Sequence, residues 1–450
     1  VKGGLVIVGG GTAGLAAATR ARRTAPTLPI TVLEQSPHVS LGICGLPYLI
    51  GGQIPSLEDL QIMPLARLRQ ERNLDVRPLN RAEALDLRGR TVKVRDLVRG
   101  HLYTLEYERL ILAPGGRPRR PAVPGVAGEN VFSVYCPEGA LALLDWMSRE
   151  SPRQALVLGA GYLGLEMAEA LRRRGLAVHL VERRPELLGG LEPPLQERLV
   201  AELERGGVQL WPGRNLEALE GGVAGRVRRA LLDGGESLEV DLVVLAAGLT
   251  PEPPLLEGLP LRRGAQGGLL VDSRAETSQP GVFAAGDCVE VEHRLTGRRV
   301  HLPLAGPAAR LGRVAGENAA GGAARYRGAL GTVGLRIFGL EVARTGLSRN
   351  QARELGIPVQ VETVSSPSRA RYYPGGGPLQ VALVARHPDG RLLGAQAIGP
   401  EGAVARVNTV ALACQAGLGW RDLEDLEAAY APPFASLWDP LALAGRLAQR

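Results

Sequence analysis

Lysine is nearly missing from this chain: Lys2 and Lys93 are the only two among 53 basic residues, so the net charge of +7 is carried by arginine. Those arginines are scattered without a nucleic-acid reader motif, and a modest excess of this kind suits a solvated surface or phosphate-bearing small ligands, not nucleic acid. Aromatic residues make up 4% of the chain while glycine reaches 60 residues, a balance that goes with many turns and close backbone approaches. Cysteine is limited to positions 44, 136, 288 and 414. Their separation excludes zinc-ligand spacing and the framework of a disulfide-stapled secreted domain, so no metal is expected and a reducing, cytoplasmic setting is. No apolar run approaches the length of a membrane span, and no basic segment with a cleavage site precedes the first strand; neither membrane attachment nor export is expected. With 450 residues the chain exceeds a single core and is expected to form about three domains.

What is present begins with GLVIVGGGTAGLAAATRARRTAPTLPITVLE, residues 4–34. A buried strand, a glycine turn, an alanine-rich helix and a second strand ending in an acid follow in the order of a dinucleotide-binding unit. Gly9 is expected to make the tight turn, Gly11 to let the backbone approach a pyrophosphate and Gly14 to let helix and strand pack closely. Glu34 is placed to accept from a ribose hydroxyl. The pattern recurs in ALVLGAGYLGLEMAEALRRRGLAVHLVE, 155–182, with Gly159, Gly161, Gly164 and Glu182 in the same places. Two dinucleotides are therefore expected. Glu182 favours NADH, because a carboxylate repels the 2′-phosphate of NADPH, while Arg183 and Arg184 soften that preference.

RLILAPGGRP (109–118) and DLVVLAAGLTPEP (241–253) are apolar strands ending in Gly/Pro turns, where the chain is expected to cross between domains. GVFAAGDCVE (281–290) follows the same scheme but ends its strand on Asp287, at the place where open α/β sheets bind ligands; a plain turn or cap residue is the competing account. HLPLAGPAARLGRVAGENAAG (301–321) reads as a helix beginning after Pro303, with its N-terminus able to stabilise negative charge on a bound ring. After about residue 329 strand-like and helical patterns alternate around a PDG hairpin signal at 388–390, without a phosphate loop. The expected fold class is α/β: two Rossmann-like dinucleotide-binding domains, 1–115 with 250–328 and 116–249, plus a C-terminal α+β domain over 329–450.

Taken with the AAGDC segment and the PLAGPAARLGR helix, the two fingerprints resemble those of the FAD-dependent pyridine nucleotide-disulfide oxidoreductases along essentially the whole chain. VSLGICGLPYLIGG, 39–52, is similar to the branch with one active-site cysteine, comprising coenzyme A disulfide reductases, NADH oxidases and NADH peroxidases. Dithiol relatives carry Cys-x4-Cys, and here Leu49 stands where the second cysteine would. The resemblance implies FAD in the first loop, with Gly9, Gly11, Gly14 and Glu34 at its ADP half, Ala113 and Gly115 beside it, and Asp287 on the ribityl chain. Leu304 and Ala305 would meet the pyrimidine edge. It implies NADH, or NADPH, in the second loop with Gly159, Gly161, Gly164, Glu182 and Gly248, and with Tyr162 and Glu166 near the nicotinamide. A packing role for Tyr162 and a first-turn acid favoured by the helix dipole for Glu166 are the alternatives.

Family members that handle oxygen or peroxide typically carry a histidine in the first glycine loop, where this chain has Thr12. AYAPPFASLWDP (429–440) resembles the closing segment of the disulfide reductases, in which a tyrosine acts across a homodimer; Tyr430 is the matching residue and Tyr372 of RYYPGG its companion. Both features point to disulfide reduction. Coenzyme A disulfide reductases commonly have asparagine where Ile43 stands and a basic residue where Trp438 stands, which widens the expected substrate to persulfide or polysulfide sulfur. Arg20, Arg23 and Arg72 match positions that contact coenzyme A phosphates, with ordinary exposed arginine as the alternative at each.

The implied reaction passes electrons from NAD(P)H through flavin to Cys44, the redox-active centre, which forms a mixed disulfide with the substrate thiol. Its thiol must ionise more readily than a free cysteine of pKa about 8.5, which a helix start at CGLPYLIGG assists. Ser40 is expected to donate to the sulfur and Tyr430 to protonate or hold the leaving thiolate. Cys136, Cys288 and Cys414 are expected to be packing residues. An oxygen-reducing NADH oxidase is the near alternative, and a flavin-binding redox sensor with little turnover the distant one.

Overall fold

The computed structural model describes residues 3–222 and 225–448. The chain divides into two compact units, one of residues 1–46, 54–119 and 248–329, the other of residues 47–53, 120–247 and 330–450.

The first unit is built on parallel strands in the order Asp75–Arg77, Ile30–Leu33, Gly4–Val8, Leu102–Leu112 and Val282–Ala284. Ile7, Leu110, Ile111 and Leu112 are fully buried, as expected of strands covered on both faces. The long strand Leu102–Leu112 changes character along its length. Its first half alternates half-buried and exposed residues and pairs antiparallel with Thr91–Asp96, whereas its last three residues are all buried in the parallel sheet. One-sided burial demands alternation and two-sided burial abolishes it.

Helices Thr12–Thr24 and Ala305–Ala319 cross at a seam of small side chains, with Ala13, Ala17 and Ala21 buried. A Cβ at Gly312 or Gly316 would lie 2.3 or 2.0 Å from the carbonyl oxygens of Ala13 and Ala17, so only glycine permits the approach. The Arg20–Glu317 ion pair closes the seam. Its side chains remain 35% and 22% exposed, so it adds less than about 1 kcal/mol and packing holds the crossing.

In the second unit the strands run Val208–Pro212, Ala177–Glu182, Gln154–Leu158, Leu242–Leu245, Val131–Phe132, all parallel. A five-stranded antiparallel sheet follows, ordered Val333–Ile337, Leu340–Gly346, Leu392–Gly399, Pro378–Arg386, Val359–Pro367, and the PDG sequence makes the hairpin between its third and fourth strands. Gln396 ties this sheet to the loop below the second fingerprint, accepting from the Glu192 amide at 2.7 Å and donating to the Gly190 carbonyl at 3.1 Å, both in buried surroundings. The expected α/β class with a C-terminal α+β region is observed. No described helix is long and apolar enough to cross a membrane.

Candidate dinucleotide loops and reactive thiol

Both glycine loops follow one plan. Gly9 leaves the first strand at φ 108° and Gly159 leaves its counterpart at φ 104°, the left-handed region that side chains resist. A Cβ at Gly14 would sit 1.9 Å from the Gly9 carbonyl oxygen, and one at Gly164 1.8 Å from that of Gly159, so each helix presses on the turn that precedes it. The middle glycines differ: a Cβ at Gly11 or Gly161 would meet nothing within 4 Å. These two residues cap helices Thr12–Thr24 and Tyr162–Arg173 without a side-chain hydrogen bond. Helix amides directed into open space that glycine keeps clear are what a pyrophosphate requires, and the residues present fit two dinucleotides.

The acids at the ends of the second strands are tied to these loops. Glu34 accepts from the amides of Gly10 at 2.7 Å and Ser36 at 2.8 Å; Glu182 accepts from those of Ala160 at 2.8 Å and Arg184 at 3.0 Å. Each Glu182 oxygen can accept from a further donor. Arg183 and Arg184 beside Glu182 are exposed.

Within the first unit other sequence-predicted residues converge on the first loop. A Cβ at Gly9 would touch the Ala113 carbonyl at 2.0 Å, one at Gly286 would lie 3.0 Å from Ala13 Cβ, and one at Gly116 would lie 3.6 Å from Asp287 Cβ. Gly115 and Gly248 both have positive φ, 82° and 90°, at the ends of the crossing segments, which pair antiparallel through Arg117–Pro118 and Leu249–Thr250. Asp287 follows strand Val282–Ala284, and its carbonyl is bonded to His301 Nε2 at 2.7 Å. Leu304 caps helix Ala305–Ala319, again without a side-chain bond.

Cys44 lies in a 3-10 turn, Ile43–Gly45, that runs into the short helix Leu46–Ile50. The loop before it is moored at both ends. Ser40, nearly buried at φ 61°, donates its amide to Gly10 O at 3.4 Å and accepts from Ile62 N at 2.8 Å, while Gly42 N donates to Leu60 O at 2.8 Å. The turn thus holds Cys44 exposed on a loop fastened to the first glycine turn. None of the four cysteines is in a disulfide. Cys288 and Cys414 are buried, and desolvation pushes both thiols up to about 12, so they stay protonated and inert. Cys136 departs from the expected packing role: it is exposed at the N-cap of helix Pro137–Glu150, where Pro137 starts the helix. Desolvation still pushes its thiol up.

The other predicted positions separate. Tyr372 and Tyr430 meet, Oη to Oη at 3.0 Å, with both rings exposed; the shared bond pushes the Tyr430 phenol up. Trp438 is 64% exposed. Arg20 is held by Glu317 and Arg23 is exposed, while the unpredicted Arg22 staples its helix to the following loops through the carbonyls of Pro26 at 2.6 Å and Asn73 at 2.7 Å. Arg72 has a buried Nε without a hydrogen-bond partner. Tyr162 is half-buried with its phenol pushed up by desolvation. Sequence reasoning missed Tyr48, whose hydroxyl donates to Glu166 Oε1 at 3.2 Å. Its one signal was a polar aromatic in an otherwise apolar short helix, LPYLI.

A family model described as pyridine nucleotide-disulphide oxidoreductase matches residues 4–310, and one described as the dimerisation domain of the same group matches residues 334–441. An NAD(P)H sulfur oxidoreductase (CoA-dependent) of Pyrococcus abyssi is 34% identical over 447 residues, covering 99% of this chain and 98% of that protein. An NADH oxidase of Methanocaldococcus jannaschii is 31% identical over 441 residues, 98% of this chain and 97% of the other. Among solved structures, reduced Bacillus anthracis CoADR-RHD superposes with a TM-score of 0.96 at 32% identity, over 100% of this chain and 80% of that one.

Proposed function

The chain belongs to the pyridine nucleotide-disulphide oxidoreductases, flavoenzymes that draw electrons from NAD(P)H, and from that premise we propose that it reduces coenzyme A disulfide or a related persulfide or polysulfide through a mixed disulfide at Cys44. The observation that carries this reading is a solitary exposed cysteine on a loop moored to the first glycine turn, with Leu49 where a dithiol enzyme would need its second sulfur. FAD belongs in the first loop, held by Gly9, Gly11, Gly14, Glu34, Ala113, Gly115, Asp287, Leu304 and Ala305, within a domain of residues 1–115 and 250–328. NAD(P)H belongs in the second, with Gly159, Gly161, Tyr162, Gly164, Glu166, Glu182 and Gly248, within residues 116–249. Bound FAD supplies the two-electron relay between NAD(P)H and sulfur.

The chain's own residues do the rest. The Cys44 thiolate attacks one sulfur of the substrate, forming a new S–S bond as the old one breaks and the leaving thiolate departs. Two electrons and a proton then restore the thiolate and release the second thiol. Ser40 orients the Cys44 turn, and the Tyr430–Tyr372 pair supplies a proton to the leaving sulfur across a homodimer made by residues 329–450. Arg20, Arg23, Arg72 and Trp438 are the candidates for the substrate's phosphate-bearing end, Arg20 only by releasing Glu317.

Anaerobic titration of the holoenzyme with NADH, comparing coenzyme A disulfide, polysulfide and oxygen, tests the reading. A coenzyme A adduct on the Cys44 peptide by mass spectrometry and, with coenzyme A disulfide, two thiols released per NADH consumed are expected; stoichiometric oxygen consumption without any Cys44 adduct would transfer the chain to the oxidases.

Glu182 carries a further expectation. Glu182→Ala removes the carboxylate that rejects a 2′-phosphate and leaves Arg183 and Arg184 in place. The ratio of kcat/KM for NADPH over NADH is expected to rise by about tenfold, the equivalent of about 1.4 kcal/mol. An unchanged ratio would remove Glu182 from the ribose site.

A further inference from the structure

Glu166, Ala170 and Arg174 lie at i, i+4 and i+8 along the helix that starts at Tyr162 and its C-cap, hence on one side of it. Segment 47–53 lies along that side. Tyr48 Oη donates to Glu166 Oε1 at 3.2 Å, a Cβ on Gly51 would lie 3.2 Å from Ala170 Cα, and Arg174 Nε donates to the Ile50 carbonyl at 2.6 Å. The ladder fixes Tyr48 against Glu166.

Glu166 is half-buried and no cation pairs with it among the described residues. The arginines of its own helix are committed elsewhere: Arg172 to the carbonyls of Gly206 and Leu176, Arg173 to Glu169 at 2.8 Å, Arg174 to Ile50. Glu169 also accepts from Phe338 N at 2.7 Å. Arg344, which faces Tyr162, donates to Leu188 O at 2.7 Å. On the strands packed against this helix the titratable groups are His179, bonded to Trp211 at 3.3 Å, Glu182, bound to its own loop, and Arg336, which is exposed. None of these bonds to Glu166. A carboxyl so placed, with a neutral phenol as its donor, is poorly equipped to hold a negative charge. Burial pushes it up to about 7, with Glu169 adding to the rise and the Tyr48 bond opposing it.

We propose that Glu166 serves the second loop as a neutral carboxylic acid, and that Tyr48 is the positioning residue that governs its proton. This deepens the function proposed above and rests on the placement of Glu166 beside the nicotinamide. A protonated carboxyl can accept from Tyr48 and still donate to an amide-bearing ring; the ionised form loses that donor and adds a negative charge near an anionic ligand. The dinucleotide therefore binds best at low pH and worse as Glu166 ionises. Because the Tyr48 bond stabilises the carboxylate, its removal moves ionisation upward.

The test uses the oxidised holoenzyme and tetrahydro-NADH, a reduced dinucleotide that cannot give up hydride. Its Kd is expected to be flat below pH 6 and to rise at least about tenfold by pH 9, with Glu166→Gln flat throughout and Tyr48→Phe shifting the rise to higher pH. Infrared difference spectra between wild type and Glu166→Gln should show a protonated carboxyl band that disappears over the same range. A carboxyl ionised throughout overturns the proposal. A carboxyl that titrates while wild-type Kd stays flat overturns its coupling to the dinucleotide. Failure of tetrahydro-NADH to bind at any pH overturns the reading of the second loop, and the proposal with it.

Discussion

Cys44→Ser holoenzyme is expected to keep its flavin and its affinity for NADH while disulfide-dependent NADH consumption falls by about a thousandfold or more, because a serine hydroxyl at neutral pH is a poor nucleophile and forms no S–S bond. The substitution is small, and Cys44 is exposed in a turn moored by the backbone bonds of Gly42 to Leu60 and of Ser40 to Gly10 and Ile62. Folding should therefore be unchanged, and unfolding midpoint and flavin content are the controls. The other cysteines cannot substitute. Cys288 and Cys414 are buried thiols held protonated up to about 12, and desolvation pushes up the thiol of Cys136 although that residue is exposed. Thiol release assayed anaerobically with coenzyme A disulfide decides the matter; turnover above about a tenth of wild type would take the redox role away from Cys44.

The second large effect separates folding from binding within a single loop. Gly14→Ala ought to stabilise a helix by about 1 kcal/mol on propensity alone. Its methyl, however, would lie 1.9 Å from the Gly9 carbonyl oxygen, and that oxygen belongs to backbone already pressed between Ala113 and the helix. Overpacking against backbone costs about 3 kcal/mol or more and opens the turn, so the clash wins. The variant is expected to lose both flavin and several degrees of thermal stability in the apoprotein. Gly11→Ala is the contrast. Nothing lies within 4 Å of its Cβ, so the apoprotein should unfold at the wild-type temperature while FAD affinity falls about a hundredfold, the methyl occupying the space kept for the pyrophosphate. Equal apoprotein stabilities for both variants would contradict the packing account of Gly14; undiminished FAD affinity in Gly11→Ala would contradict the cradle.

Residue order alone reveals the parts whose logic is local. A glycine turn, its helix and its terminal acid are read over some thirty residues because steric exclusion at Gly9 and Gly14 acts between neighbours in the chain, and the repeat at Gly159–Glu182 obeys the same rule. Cys44 was legible as a solitary thiol from the spacing of the four cysteines, and its redox role came through the resemblance. The tertiary structure alone decided partnerships between distant positions. Tyr48 and Glu166 stand 118 residues apart and meet because segment 47–53 lies along a helix of the second unit. Tyr372 and Tyr430, 58 apart, were matched through resemblance, but their contact is a property of the folded loops. Arg20 was matched to a phosphate contact, with an ordinary exposed arginine as the alternative, and the fold pairs it with Glu317 across the helix seam; Cys136, expected to pack, is exposed at a helix N-cap. Hydrogen bonds and ion pairs are satisfied by whatever the fold brings within reach, and a chain's local pattern carries no record of that reach.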